Sequence, residues 1–135
     1  RATEFETLVT VNADLFGEDP AAAGVLEKIN CRIAITPFDD ATAKKATIAM
    51  GVRHWSEVQG TMVNSLNMLQ KLNACPVCPD ENLWAAYQVV SYMAGSKFEA
   101  AADAFRQAGE YAPVLAGLTY DAIKSTGKLL EGGEA

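Results

Sequence analysis

The sequence lacks the features that define several common protein classes. No apolar run approaches the roughly 20 residues that span a bilayer, so no transmembrane segment is predicted. His54 is the sole histidine, and no serine or cysteine is placed to form a nucleophile–base pair with it. Because no catalytic constellation is visible, we expect a binding or scaffolding protein and not an enzyme.

Motifs for cofactors and metals are also missing. There is no glycine-rich phosphate loop, no calcium-loop spacing and no Glu-x-x-His pair of the di-iron bundles. We therefore predict neither a cofactor nor a metal ion.

Cysteine is scarce, with three residues in 135. Cys75 and Cys78 form one CxxC motif without the second ligand pair that a zinc site usually has. The favoured interpretation is structural: Cys31, Cys75 and Cys78 are disulfide candidates, with one bridge involving Cys75 or Cys78. Metal binding and redox catalysis stay open as less favoured alternatives.

The charge balance is acidic, with a formal net charge of −6 and a pI of about 4.7. Repulsion from phosphate makes nucleic acid and anionic membranes poor partners for such a chain. The first residue, Arg1, indicates a processed chain. Local clusters of positive charge are candidate docking contacts, although solvated helix faces are the commoner explanation; they comprise Lys44, Lys45, Arg53, Lys124 and Lys128.

The strongest periodic signal lies in the middle of the chain. Ile48, Trp55, Met62 and Leu69 recur every seven residues, which predicts one long helix over residues 40–73. At ~1.5 Å per residue this helix would be about 50 Å long. A helix of that length with one apolar face requires partner helices along its length.

Shorter patterns favour further helices on both sides. Asp19 and Pro20 can begin a second helix, Asp80 a fourth, and residues 114–130 a last one. The alternation of Cys31, Ile33 and Ile35 also suits a short strand, but no second strand is visible to pair with it. The predicted fold is therefore all-α: a single domain over 1–135 forming an up-and-down four-helix bundle with a short extra C-terminal helical segment.

Two segments carry a resemblance to a known family. The run from Arg53 to Gln59, followed by Met62 and Leu69, resembles the second helix of PsbQ-type extrinsic subunits of photosystem II. The end of the chain, from Tyr120 to Leu130, resembles the last helix of that family. The acidic charge and the Cys75–Cys78 turn depart from the family pattern.

The resemblance implies a non-catalytic subunit in the chloroplast thylakoid lumen, bound peripherally to photosystem II. Such a subunit supports oxygen evolution by stabilising the manganese cluster and retaining calcium and chloride. Docking would fall to the five basic residues named above, against lumenal subunits of the complex. A periplasm or another oxidising compartment is the alternative location.

A helical repeat is the second interpretation. The spacing of six residues approaches the tetratricopeptide pattern: Trp84, Gly95, Ala101, Phe105, Ala108 and Pro113. This alternative predicts a peptide-binding helical module.

Overall fold

The chain is a mixed α/β protein, so the predicted all-α four-helix bundle is wrong. The computed structural model describes residues 4–75 and 82–130. Its helices and strands are β1 (Thr7–Val11), α1 (Leu15–Glu18), α2 (Ala23–Leu26), β2 (Cys31–Thr36), α3 (Ala41–Lys45), β3 (Ile48–Gly51), β4 (Gly60–Val63), β5 (Met68–Leu72), α4 (Ala86–Met93), α5 (Ala101–Tyr111) and β6 (Lys128–Leu129).

The chain divides into two compact units. The first contains Arg1–His54 with Glu81–Ala86, and the second contains Trp55–Asp80 with Tyr87–Ala135. Each unit has its own three-stranded sheet.

The sheet of the first unit is parallel, with strand order β1-β2-β3. Consecutive parallel strands need a crossover connection, which α1 and α2 supply between β1 and β2 and which α3 supplies between β2 and β3. The central strand β2 is mostly aliphatic, as expected for a strand flanked on both sides.

The sheet of the second unit is antiparallel, with order β4-β5-β6. Asn64 shapes the turn before β5, because its side-chain oxygen accepts hydrogen bonds from the backbone N–H groups of Leu66 and Met68. Asn67 completes this turn in the left-handed region, at φ 56°. The core of the unit contains Leu69, Phe105, Ile123 and Leu130.

The sevenfold apolar spacing does not form a helix. Ile48 lies in β3, Trp55 in a 3-10 turn, Met62 in β4 and Leu69 in β5. Only Leu69 is buried; the other three are exposed. The helix predicted over 40–73 is wrong because the glycines and asparagines between these positions favour turns, which divide the segment into short strands.

Two further helix predictions are corrected. The Cys31–Ile35 alternation belongs to β2, whose partners β1 and β3 lie on either side. The segment 114–130 contains two 3-10 turns, Pro113–Leu115 and Tyr120–Ala122, and the strand β6 in place of a helix. A left-handed glycine, Gly127 at φ 78°, precedes β6, and a Cβ there would lie 2.8 Å from the Leu69 carbonyl oxygen.

Some local signals are confirmed. The Asp19 carboxylate accepts hydrogen bonds from the N–H groups of Ala21 and Ala22, at the start of a 3-10 turn that begins with Pro20. The predicted cap Asp80 lies outside the described residues. Over the two described ranges, every helix is too short or too polar to cross a bilayer.

The tetratricopeptide alternative required stacked pairs of helices. The helices α4 and α5 form one consecutive pair, and strands precede and follow this pair along the chain. The other consecutive helices, α1 and α2, lie between the strands β1 and β2. Helix pairs separated by strands do not provide the stacked neighbours of such a repeat.

Candidate functional site

Helices α1 and α3 are held on one face of the parallel sheet by a polar clamp. Thr42 of α3 is buried, and its hydroxyl oxygen accepts a hydrogen bond from the Phe16 N–H at 3.0 Å. The same hydroxyl donates to Asp14 Oδ1 at 2.8 Å, and the Thr42 N–H donates to that oxygen at 2.9 Å. These bonds, with those from backbone N–H groups, lower the pKa of Asp14.

The clamp places both helices over the face that carries the even-numbered side chains of β1 and β2. A small internal space here is lined by Phe16, Thr42 and Ala46 together with strand residues, namely Leu8, Thr10, Arg32, Ile33 and Ala34. Because side chains alternate along a strand, the odd-numbered residues of β1 and β2 lie on the opposite face, together with Ile48 and Met50 of β3, which the register aligns with them.

The opposite face carries two rows of aliphatic side chains across the sheet. The strand register aligns Val9 with Ile33 and Ile48, and Val11 with Ile35 and Met50. We call these six residues the aliphatic rows. The central Ile35 is 0% exposed, whereas the row ends stay open to solvent: Val9 43%, Val11 40%, Ile48 48% and Met50 36%.

The outer strands of this sheet are unprotected edges. Among the described residues no strand pairs with the outer side of β1 or of β3. Neither strand contains a charged residue or a proline, the usual devices that prevent a further strand from adding to an edge. The exposed row ends on β1 and β3 therefore lie next to open strand edges of the first unit.

A second surface feature, which we call the carboxyl-end cleft, lies where β2 and β3 end. It is an open cleft of ≈ 220 Å³. Its lining residues are Thr36, Pro37, Phe38, Asp39, Ala43, Ala49, Met50 and Gly51. In open α/β sheets, ligands bind outside the carboxyl ends of the strands.

Hydrogen bonds hold the loop at the mouth of this cleft. The Thr36 hydroxyl donates to Asp40 Oδ2 at 3.2 Å and accepts from the Phe38 N–H at 3.2 Å. Asp40 Oδ1 accepts from the Ala43 N–H at 2.8 Å, which caps α3. The exposed Phe38 ring contacts the His54 ring edge to face, with centroids 5.3 Å apart.

The predicted docking cations divide between the two units, and two of them pair with carboxylates of their own unit. Lys44 Nζ lies 3.3 Å from Asp39, and Lys45 pairs with Glu27. Lys45 lowers the pKa of Glu27 by this hydrogen bond and by its charge. Arg53 is half-buried, while Lys124 and Lys128 are exposed near β6. The structure therefore does not bring the five cations together as a single cluster within either unit.

The cysteine and histidine candidates have these positions. Cys31 is half-buried at the start of β2, Cys75 is exposed, and both are free thiols; Cys78 lies outside the described residues. His54 follows β3 and contacts Phe38. Across residues 4–75 and 82–130, no three His, Cys, Asp or Glu side chains are grouped to hold a metal ion.

Sequence reasoning missed both the aliphatic rows and the carboxyl-end cleft. The alternation of Cys31, Ile33 and Ile35 was the available signal. A strand at this position would have predicted a sheet, and with it a candidate ligand site where the strand ends. Comparison of the chain with protein-family models and with curated proteins found no match.

Proposed function

We propose that the chain is a non-catalytic interaction module that binds a partner protein through the aliphatic rows of its parallel sheet. The observation that carries this proposal is the exposure of four aliphatic row ends on a sheet whose other face is packed against helices. Parallel sheets occur almost only with both faces covered. A partner protein that covers the aliphatic rows would bury the exposed row ends, so that both faces of the sheet are covered.

The energetics favour a partner that also contacts the strand edges. Fully burying an aliphatic side chain contributes about 1.5–3 kcal/mol, so covering four half-exposed row ends contributes roughly 2–5 kcal/mol. Association costs about 4–15 kcal/mol in lost freedom. Burial of the row ends alone does not offset that cost. We therefore expect the partner also to form backbone hydrogen bonds with the open edges of β1 and β3.

The extrinsic-subunit role in photosystem II depended on a helical bundle. No feature of the two observed sheets favours it, and the paired lysines Lys44 and Lys45 do not support docking through free cations. The interaction surface proposed here is apolar and lies on different residues.

A charge-insertion experiment tests the proposal. The double variant Val9→Lys/Ile48→Lys places two ammonium groups at row ends, where a covering partner would have to desolvate them. Val25→Lys is the matched control, because Val25 is 43% exposed in the same unit but lies on α2. Affinity capture from an extract of the source organism should recover a discrete protein with the wild type and with Val25→Lys.

The double variant should recover at least about 10-fold less of that protein, which corresponds to 1.4 kcal/mol. Circular dichroism and urea unfolding establish that the variants are folded. Equal recovery by the folded double variant would contradict the proposal.

A further inference from the structure

We propose that the carboxyl-end cleft binds a neutral bicyclic heteroaromatic ring, of the kind found in a purine base or its nucleoside. This site shares Met50 with the aliphatic rows but otherwise uses different residues, because it lies at the ends of β2 and β3 beside α3. The inference is drawn from the size of the cleft, its floor, its aromatic wall and the charges at its rim.

The size of the cleft limits the ligand. Pockets for drug-sized ligands have volumes of about 300–1,000 Å³, whereas this cleft has ≈ 220 Å³. One ring system with a small substituent is therefore the largest group that it can enclose.

Small residues form the floor of the cleft. Ala43 of α3 and Ala49 and Gly51 of β3 line it, and none of them has a side chain larger than a methyl group. The space where a Cβ of Gly51 would lie has no heavy atom within 4 Å. A flat ring can therefore approach the end of β3 closely.

Phe38 supplies an aromatic wall. Its side chain is 56% exposed, although its backbone N–H is hydrogen-bonded to Thr36 and its ring is held by the edge of His54 at an interplanar angle of 74°. A fixed but exposed aromatic ring provides a stacking surface at low entropy cost, and stacking of a base on such a ring contributes about 1–3 kcal/mol.

Asp39, which lines the cleft, offers an acceptor, and Lys44, which pairs with it, offers a donor. The Asp39 carboxylate and the Lys44 ammonium lie 3.3 Å apart, and both side chains are exposed. Exposed ion pairs contribute little to stability, so a ligand can replace this contact at small cost. The adenine edge has the complementary pattern, an amino donor beside a ring-nitrogen acceptor.

The charge favours a neutral ligand over a phosphorylated one. Lys44 is neutralised by Asp39, and the chain has a net charge of −6. The loop after β1 lacks the glycine-rich sequence that binds a pyrophosphate. A phosphate therefore gains less at this site than it would beside an unpaired cation, and we expect AMP to bind no more tightly than adenosine.

The test is an NMR titration of ¹⁵N-labelled protein with adenosine and, separately, with AMP. Adenosine should shift the amide signals of Phe38, Asp39 and Gly51, with a Kd on the order of 1 mM for so small and open a site. AMP should bind no more tightly than adenosine.

Gly51→Leu fills the cleft and should raise the Kd for adenosine at least about 10-fold. Gly24→Leu is the matched control, because the space around its Cβ is also open and it lies on α2, away from the cleft; its Kd should stay within about 2-fold. The amide spectra of both variants report whether they are folded.

Three results would overturn the inference. The first is the absence of shifts at the cleft amides when adenosine is present at 10-fold excess over the expected Kd. The second is a folded Gly51→Leu variant that binds adenosine with the affinity of the wild type. The third is tighter binding of AMP than of adenosine. The partner surface is tested separately, through variants of Val9 and Ile48, which do not line the cleft.

Discussion

At the scale of single residues, the contact between Thr42 and Asp14 connects the loop after β1 with two helices. One buried hydroxyl satisfies the N–H of Phe16 and donates to a carboxylate that also accepts the N–H groups of Thr42 and Gly17. This contact joins residues 28 positions apart. It therefore stabilises tertiary structure and not only a local turn.

Replacing Thr42 with valine should lower the free energy of unfolding by about 1–3 kcal/mol, because a buried N–H group loses its partner while the side-chain shape is kept. Urea denaturation measures this change. Thr119→Val is the control, since Thr119 is exposed and makes no side-chain capping bond. If both variants lose the same stability, the clamp does not contribute as described.

Asp14 predicts a specific dependence of stability on acid. Its pKa is lowered in the folded protein from 3.8, first by the Thr42 hydroxyl. The contribution of this carboxylate is therefore complete above about pH 4 and is lost as the pH falls through the lower folded value. Urea unfolding at pH 7, 5, 4 and 3 should show less loss of stability in acid for Asp14→Asn and Thr42→Val than for the wild type. An unchanged acid dependence in both variants would refute this assignment.

At the scale of the elements, the chain consists of short strands and helices whose apolar residues serve different purposes. In the middle third, Leu69 of β5 belongs to the core of the second unit, while Met62 of β4 is exposed. Their sevenfold spacing has no role in the packing. Burial, and not periodicity, determines which of these residues stabilise the fold.

Leu69→Ala should therefore cost about 2–5 kcal/mol, the usual range for creating a cavity in a core. Met62→Ala should cost less than about 1 kcal/mol, because an exposed side chain loses little burial. A four-helix bundle would predict comparable losses at both positions. Chemical denaturation of the two variants distinguishes these accounts, and equal large losses would restore the helical interpretation.

Part of the fold could be predicted from the sequence, where the physical cause is local. The cap at Asp19 depends on neighbouring residues, and it is found in the structure. The position of β2 was visible as an alternation, but its identity depended on pairing with β1 and β3. Pairing between distant strands is non-local, and one sequence does not reveal it directly.

The candidate site was less accessible to sequence reasoning. The sequence-predicted cations of α3, Lys44 and Lys45, pair with Asp39 and Glu27, which no local pattern indicates. The aliphatic rows exist only through the register of three strands, for example Val9 with Ile33 and Ile48. Because the alignment of the three strands creates this surface, the sequence of any one strand does not reveal it.

At the scale of the whole molecule, two units each carry a small sheet with exposed apolar residues. In the second unit, the outer face of the antiparallel sheet exposes Met62 and Leu129. In the first unit, the aliphatic rows expose Val9, Ile48 and Met50. Exposed apolar surfaces often mark interaction sites, and the first unit offers the better defined one because its edge strands contain no charged residue, whereas β6 contains Lys128.

The measurement that tests the partner surface most directly is site-specific photo-cross-linking. A benzophenone amino acid replaces Ile48, a row end, or Val25, the control on α2 with similar exposure, and each protein is irradiated in an extract of the source organism. We predict a cross-linked product of one discrete mass from position 48 and none from position 25. The same products from both positions, or none from position 48, would contradict the assignment of the aliphatic rows as the partner surface.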